Sequence, residues 1–184
     1  NLPTATGYVS TDAFPGLKFR FPLAIETVPG DRDRLFVVEK EGIIEVLTGL
    51  EAEGRGVPAA AEGGVKKKVF MDLPAILAAH HEGRLNTDGE WGLKSLAFHP
   101  EFARNGYLYV SYDFASPDPN GQWRSYNRLA RFSVSQQDRD AVDANSEVPL
   151  ITQVDLASNH NAGDLHFGPD GYLYYSMGDE GAGN

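Results

Sequence analysis

An all-β chain organised as blades of a β-propeller is the fold class this sequence predicts, on three observations. Short runs rich in Val, Ile, Tyr and Phe recur along the whole length, separated by Gly, Pro, Asp and Asn. Helical patterning is confined to one short segment. A motif returns at an interval of about 70 residues, the mark of stacked supersecondary units.

The elements follow in order. Strands are predicted at 23–28, 34–40, 43–47, 69–73, 93–98, 107–114, 128–134, 148–154, 164–167 and 172–177, each a β-type run closed by turn residues. The helix is predicted over Pro74 to His81, with proline at its start and Gly83 just past its end. Loops are predicted over Gly49 to Gly64 and Ser116 to Gln122, where Gly, Pro, Ala and charges leave little to bury.

The repeat supplies the architecture. LAFHPEFARNGYLYVSY (Leu96 to Tyr112) and LHFGPDGYLYYSM (Leu165 to Met177) share Leu-x-Phe-x-Pro, a turn ending in Gly, and Tyr-Leu-Tyr-x-Ser. A weaker copy begins at Leu23, and the turn prolines Pro29, Pro100 and Pro169 lie 71 and 69 residues apart. Each unit begins with a strand, a turn and a second strand, and the first two have room for two more, the make-up of a four-stranded blade with long connections; a closed ring needs four to eight blades. The 184 residues are therefore expected to be the N-terminal part of one propeller domain, with blades starting near residues 23, 93 and 164. About two and a half blades fall within the chain, and the ring is expected to be completed by further blades from the same or another chain.

Composition narrows the function. At 41% hydrophobic and 23% charged the chain reads as globular, and its net charge of −10, with 16 basic against 26 acidic residues, argues against a nucleic-acid partner. No apolar run approaches a membrane span of about 20 residues. The longest candidate is LPAILAA at Leu73 to Ala79. There is no cysteine, which excludes thiolate metal sites and cysteine nucleophiles. The first residue is Asn1, as in a processed exported chain and equally in a trimmed one; a periplasmic or secreted location is the expectation.

Blade geometry assigns a site. In a propeller the loop leading into each innermost strand opens on one face of the ring. His160 lies nine residues before Pro169, and the same offset before Pro100 reaches Trp91; Asn159 likewise corresponds to Glu90. An imidazole, an indole, an amide and a carboxylate around one mouth suit a sugar: amide and carboxylate bond hydroxyls, the indole stacks on a pyranose face, and the imidazole takes a proton near neutral pH. The competing reading of His160 is a loop histidine that satisfies backbone groups. His99 and His166, beside their core phenylalanines, read as strand or turn residues, and His80 and His81 as the helix end. Asp113, Asp118 and Asn120 lack the spacing of a calcium loop, and GDEGAGN lacks the lysine and helix of a phosphate loop. No metal ligand is assigned.

Two stretches carry a family resemblance: GEWGLKSLAFHPEFARNGYLYVSY and SNHNAGDLHFGPDGYLYYSMGDEG. They resemble the soluble glucose/sorbosone dehydrogenases, quinoproteins that carry pyrroloquinoline quinone (PQQ) and calcium on a six-bladed propeller. The hedgehog-interacting propellers share the GL-x-SLAFHP and FGPDG-x-LY pieces. The resemblance implies oxidation of an aldose at its anomeric hydroxyl, with hydride passing to PQQ and His160 as the base that also adjoins the cofactor. It also implies that the PQQ-binding arginines and calcium ligands lie in later blades. Where the family has a sugar-contacting aspartate this chain has Asn159, a family glutamine is replaced by Trp91, and a double leucine by Leu93-Lys94. These departures bear on the sugar more than on the chemistry. The electron acceptor is unassigned, and a non-catalytic propeller that binds a protein or glycan is the alternative.

Overall fold

The computed structural model describes residues 12–50, 64–80, 83–161 and 163–181. Three antiparallel sheets follow one another along the chain. The first has the order β1 (Pro22–Glu26), β2 (Arg34–Glu39), β3 (Ile43–Thr48), β4 (Lys66–Asp72). Its two middle strands are buried on both faces rather than alternately, which is why RLFVVE and IIEVLT read as nearly continuous apolar runs. Gly42 turns β2 into β3 at φ +95°; a Cβ there would stand 2.7 Å from the Pro74 ring, so only glycine lets the helix approach.

Helix α1 (Leu73–Ala79) follows β4 directly. Asp72 caps it by accepting the Ala75 N–H at 3.0 Å, proline occupies the first turn, and Leu73, Ile76 and Leu77 are buried. The helix thus starts one residue earlier than predicted, because Leu73 joins the helix rather than the preceding strand. His81, predicted to share the helix end with His80, lies outside the described residues, as do residues 51–63 of the predicted loop.

The second sheet holds β6 (Leu93–Phe98), β7 (Tyr107–Pro117), β8 (Trp123–Ser133) and β9 (Val148–Asp155), with the two-residue β5 (Arg84–Leu85) pairing the far end of β7 beside β6. Sequence reasoning missed β5, which is too short to show a period. It also missed α2 (Phe102–Asn105), a single turn inside the first repeat motif, ended by Gly106 at φ +66°. Strand β8 starts five residues before the predicted Arg128 because β7 and β8 pair along their whole lengths, Tyr107 opposite Ser133 and Pro117 opposite Trp123. Most of the predicted Ser116 to Gln122 loop is the tight turn of that hairpin. Asp118 accepts the N–H groups of Asn120 and Gln122 there.

The third sheet is the hairpin β10 (Leu165–Phe167) and β11 (Leu173–Tyr175), turned at Gly171 with φ +82°. Both of its strands are shorter than predicted.

The sheets pack face to face. Between the first and second lies the main core, where Phe36 meets Phe98 at 4.7 Å and Phe70 at 4.9 Å, and Phe98 meets Phe102 at 4.9 Å between ring centroids. Such aromatic pairs add about 0.5–1.5 kcal/mol each beyond the area they bury. Between the second and third lies a smaller cluster of Ala97, Leu129 and Leu165, flanked by Tyr109, Phe167, Leu173 and Tyr175. Leu96 and Leu165 are fully buried, as their matching places in the repeat require. The first strands of the three sheets converge: β6 lies beside both β1 and β10. Glu26 of β1 is close enough to feel His166 and Asp164 at β10, and Ser95 of β6 donates to Asp164 at 3.2 Å. Burial pushes the Glu26 carboxyl up, helped by Asp164 and opposed by His166.

Large apolar side chains are exposed at several strands: Phe21, Leu23 and Ile25 at β1, Leu150, Ile151 and Val154 on β9, and Tyr172 and Tyr174 at β11. No helix among the described residues is long and apolar enough to cross a membrane.

Candidate functional site

The loops that enter β6 and β10 touch. The Glu90 N–H donates to the Ser158 carbonyl at 2.8 Å, and Gly89, at φ +55°, lies so close that a Cβ would stand 2.6 Å from the same oxygen. The nine-residue offset before each proline thus corresponds to two neighbouring loops on one end of the sheets.

His160 has φ +54°, a left-handed conformation that costs an ordinary residue about 1 kcal/mol or more and persists only where the surroundings impose it. Two anchors do so. On one side Asn161 is tied to Asp155 through its Nδ2, at 3.0 and 2.9 Å from the two carboxylate oxygens, and to the Ala157 carbonyl at 2.9 Å. On the other, His160 Nδ1 lies 2.8 Å from Asp179 Oδ1. The hydrogen bond from His160, with the Gly181 N–H, holds the Asp179 carboxyl below the usual carboxylate range. A carboxylate accepting at Nδ1 selects the tautomer with its proton there and turns Nε2 outward as the acceptor. The imidazole is 60% exposed, so that nitrogen is within reach of a ligand. A small cavity is lined by His160 together with Asn127, Asn161, Met177 and Glu180.

The other predicted residues fall around this centre in different ways. Trp91 is half-buried, its indole N–H donating to Asp155 Oδ2 at 2.8 Å, so one carboxylate joins the Trp91 loop to the His160 loop. Asn159 lies against Gly181, where an added Cβ would come within 2.6 Å of its Nδ2. Glu90 engages through its main chain, its carbonyl accepting from Lys94 Nζ at 2.9 Å, while the residue is exposed. Of the four, only His160 lines the cavity.

Below the loops is a buried polar network. Lys94 Nζ stands 2.8 Å from Asp113, which is fully buried and also accepts from Asn127 Nδ2 at 2.9 Å and the Gly92 N–H at 3.1 Å. The Tyr175 hydroxyl donates to Asn127, and burial pushes that phenol up. Burial likewise pushes the Asp113 carboxyl up against the pull of Lys94, Asn127 and Gly92. The Lys94 stem passes over Gly163, whose missing side chain leaves the room: a Cβ would stand 2.6 Å from Lys94 Cδ.

Sequence reasoning missed Asp155 and Asp179, and weighed Asp113 only as a calcium ligand. Asp179 follows the second strand of its unit in GDEG, and its only sequence signal was that segment's likeness to a glycine-rich loop. Asp155 and Asp113 end or interrupt β-runs, where an acid without a visible partner gives no signal at all. Among the excluded histidines, His99 Nδ1 lies 3.0 Å from the Glu101 N–H and 2.9 Å from Asn105 Nδ2 in its turn, His166 pairs with Asp164 at 3.0 Å, and His80 lies 3.3 Å from Asn145.

Comparisons with known proteins agree with this geometry. The Glucose / Sorbosone dehydrogenase family matches residues 19–184. Hedgehog-interacting protein of Homo sapiens is 33% identical over 147 residues, covering 79% of this chain and 19% of that protein. Quinoprotein glucose dehydrogenase B of Acinetobacter calcoaceticus is 30% identical over 130 residues, covering 71% of this chain and 25% of that protein. The chain thus spans a quarter or less of the length of these relatives. The PQQ-bound aldose sugar dehydrogenase of Streptomyces coelicolor superposes with a TM-score of 0.57 at 20% identity, over 89% of this chain and 40% of that one, a likeness of fold. With its three stacked sheets, its paired repeat loops and a match that runs from residue 19 to the last residue, this chain, part of a β-propeller, belongs to the glucose/sorbosone dehydrogenase family.

Proposed function

We propose that this chain forms the first blades of an exported quinoprotein that oxidises an aldose at its anomeric hydroxyl, and that His160 is its general base. The observation that carries the reading is the His160–Asp179 pair at 2.8 Å on a left-handed backbone, with the imidazole 60% exposed. Nε2 takes the hydroxyl proton, and Asp179, already an anion, balances the imidazolium that forms. A positioned imidazole of this kind contributes about a hundred- to ten-thousandfold in rate. Trp91 offers an aromatic face for a sugar ring and Asn159 an amide for its hydroxyls, both within the loops that carry the base.

The described residues fit the substrate side of such a site and only one edge of the cofactor's place. An anionic quinone needs a cluster of cations, yet the two lysines of the mouth are engaged, Lys94 with Asp113 and Lys40 with the Gly89 carbonyl. No group of three His, Asp or Glu among the described residues is arranged to hold a cation. As the family resemblance implies, PQQ and calcium are assigned to blades outside these residues, with His160 alone adjoining the quinone. When bound, the quinone would supply the two-electron acceptor. The exposed apolar faces around Ile25 and Ile151 are where further blades would pack.

The test is His160→Ala in the complete protein loaded with PQQ and calcium. Turnover on aldoses should fall at least a hundredfold with the quinone still bound; unchanged turnover removes the base assignment. A second reading, a non-catalytic propeller that binds a protein or glycan, is favoured by the identity of 33% to Hedgehog-interacting protein against 30% to the glucose dehydrogenase. Failure of the complete protein to bind PQQ would select it.

A further inference from the structure

Asp155 is 5% exposed, and the donors that reach it among the described residues are neutral: the Trp91 indole at 2.8 Å, the Asn161 amide at 3.0 and 2.9 Å, and the Ala157 N–H at 3.3 Å. A buried carboxylate is costly unless its oxygens are well satisfied, and here satisfaction comes from two different blades. Trp91 belongs to the loop entering β6; Asn161 immediately follows His160 in the loop entering β10. One side chain therefore sets where the indole plane stands relative to the imidazole. It touches neither the cavity nor His160 itself.

We propose that Asp155 is a positioning residue for substrate: by holding Trp91 and Asn161 together it fixes the spacing between aromatic wall and base, and so selects aldoses whose ring lies on the indole while the anomeric hydroxyl meets His160. The proposal rests on the function given above. Oδ2 accepts from both Trp91 and Asn161, and Oδ1 from Asn161 and the Ala157 N–H; an amide that kept its oxygen at the Oδ2 place would turn its N–H₂ on the Asn161 amide and the Ala157 N–H, so the full bridge needs the carboxylate. Orientation errors of about 1 Å at a reacting centre cost on the order of a hundredfold.

The experiment uses Asp155→Asn in the complete, cofactor-loaded protein, with two readouts. The first is the Trp91 indole N–H resonance, identified by its loss in Trp91→Phe. It should move, because a bond to a buried anion is replaced. The second is steady-state kinetics on a panel of epimeric aldoses. KM should rise about tenfold or more and the preference between epimers should shrink. An unmoved indole resonance, or unchanged KM and epimer preference, overturns the proposal. Should Asp155→Asn not fold, Trp91→Phe carries the test, since it keeps the ring and removes the donor; unchanged KM in that variant overturns the proposal equally. His160→Ala run alongside separates the two ideas. Loss of turnover there, with Asp155→Asn behaving as wild type, overturns the positioning role alone. Full turnover there removes the base assignment, and with it the spacing between aromatic wall and base that Asp155 is proposed to fix.

Discussion

Lys94→Met isolates the buried network under the site. Lys94 is 9% exposed and Asp113 fully buried, 2.8 Å apart, and methionine keeps the apolar stem over Gly163 while removing the charge. Breaking a buried pair by deleting one partner costs about 3–5 kcal/mol, because the remaining charge stays buried. Asp113 keeps two donors, Asn127 at 2.9 Å and the Gly92 N–H at 3.1 Å, which places the expected loss near the lower end, about 3 kcal/mol. The pH dependence follows from the raised Asp113 carboxyl. In the folded chain this group holds its proton more tightly than in the unfolded chain, where the value is about 3.9. Its contribution to stability is therefore fullest in acid and falls as pH rises through the window between the two values, by up to about 1.4 kcal/mol per pH unit. Removing Lys94 pushes the folded value higher and widens that window upward. The penalty of Lys94→Met should be largest at neutral pH and shrink on acidification toward about pH 5. Urea unfolding of the complete protein at the two pH values measures this, and adding Asp113→Asn should recover most of the loss, since no charge is then left buried. A neutral-pH loss below about 1 kcal/mol, or one unaffected by pH, refutes the reasoning.

Two further variants follow from the loops. Asp179→Asn keeps an acceptor for His160 Nδ1 but removes the anion that balances the imidazolium; turnover should fall about tenfold or more, with folding unchanged because Asp179 is exposed. Gly89→Ala meets the Ser158 carbonyl at 2.6 Å and sits at φ +55°, so it should lose the Glu90–Ser158 hydrogen bond as well. The left-handed cost and the lost bond together amount to about 2–3 kcal/mol, read as a lowered thermal midpoint and faster hydrogen exchange at the Glu90 amide.

The strand predictions held wherever a run is buried on both faces, since such a run has one stable use, in the middle of a sandwiched sheet. They drifted at the ends of hairpins. Residues 123–127 contain Trp123, Arg124 and Asn127, a mixture without apolar period, yet they are strand because β7 offers its partner groups there. Single turns such as α2 and two-residue pairings such as β5 lie below any periodic signal. In the site, the repeat offset led to His160 and Trp91 because position in a blade is conveyed by chain spacing. It did not lead to the carboxylates, whose partners stand on other strands and loops.

The sequence by itself determined the β class, the blade repeat, the turn glycines and the pairing of the 90 and 160 loops, because these rest on local patterning and on the interval between copies. Tertiary structure alone decided that Asp179 takes the His160 ring, that Asp155, 64 residues from Trp91, ties it to Asn161, and that Lys94 is buried on Asp113. A hydrogen bond or ion pair is a matter of a few ångströms in space, and no spacing along a strand predicts which distant side chain will close that gap.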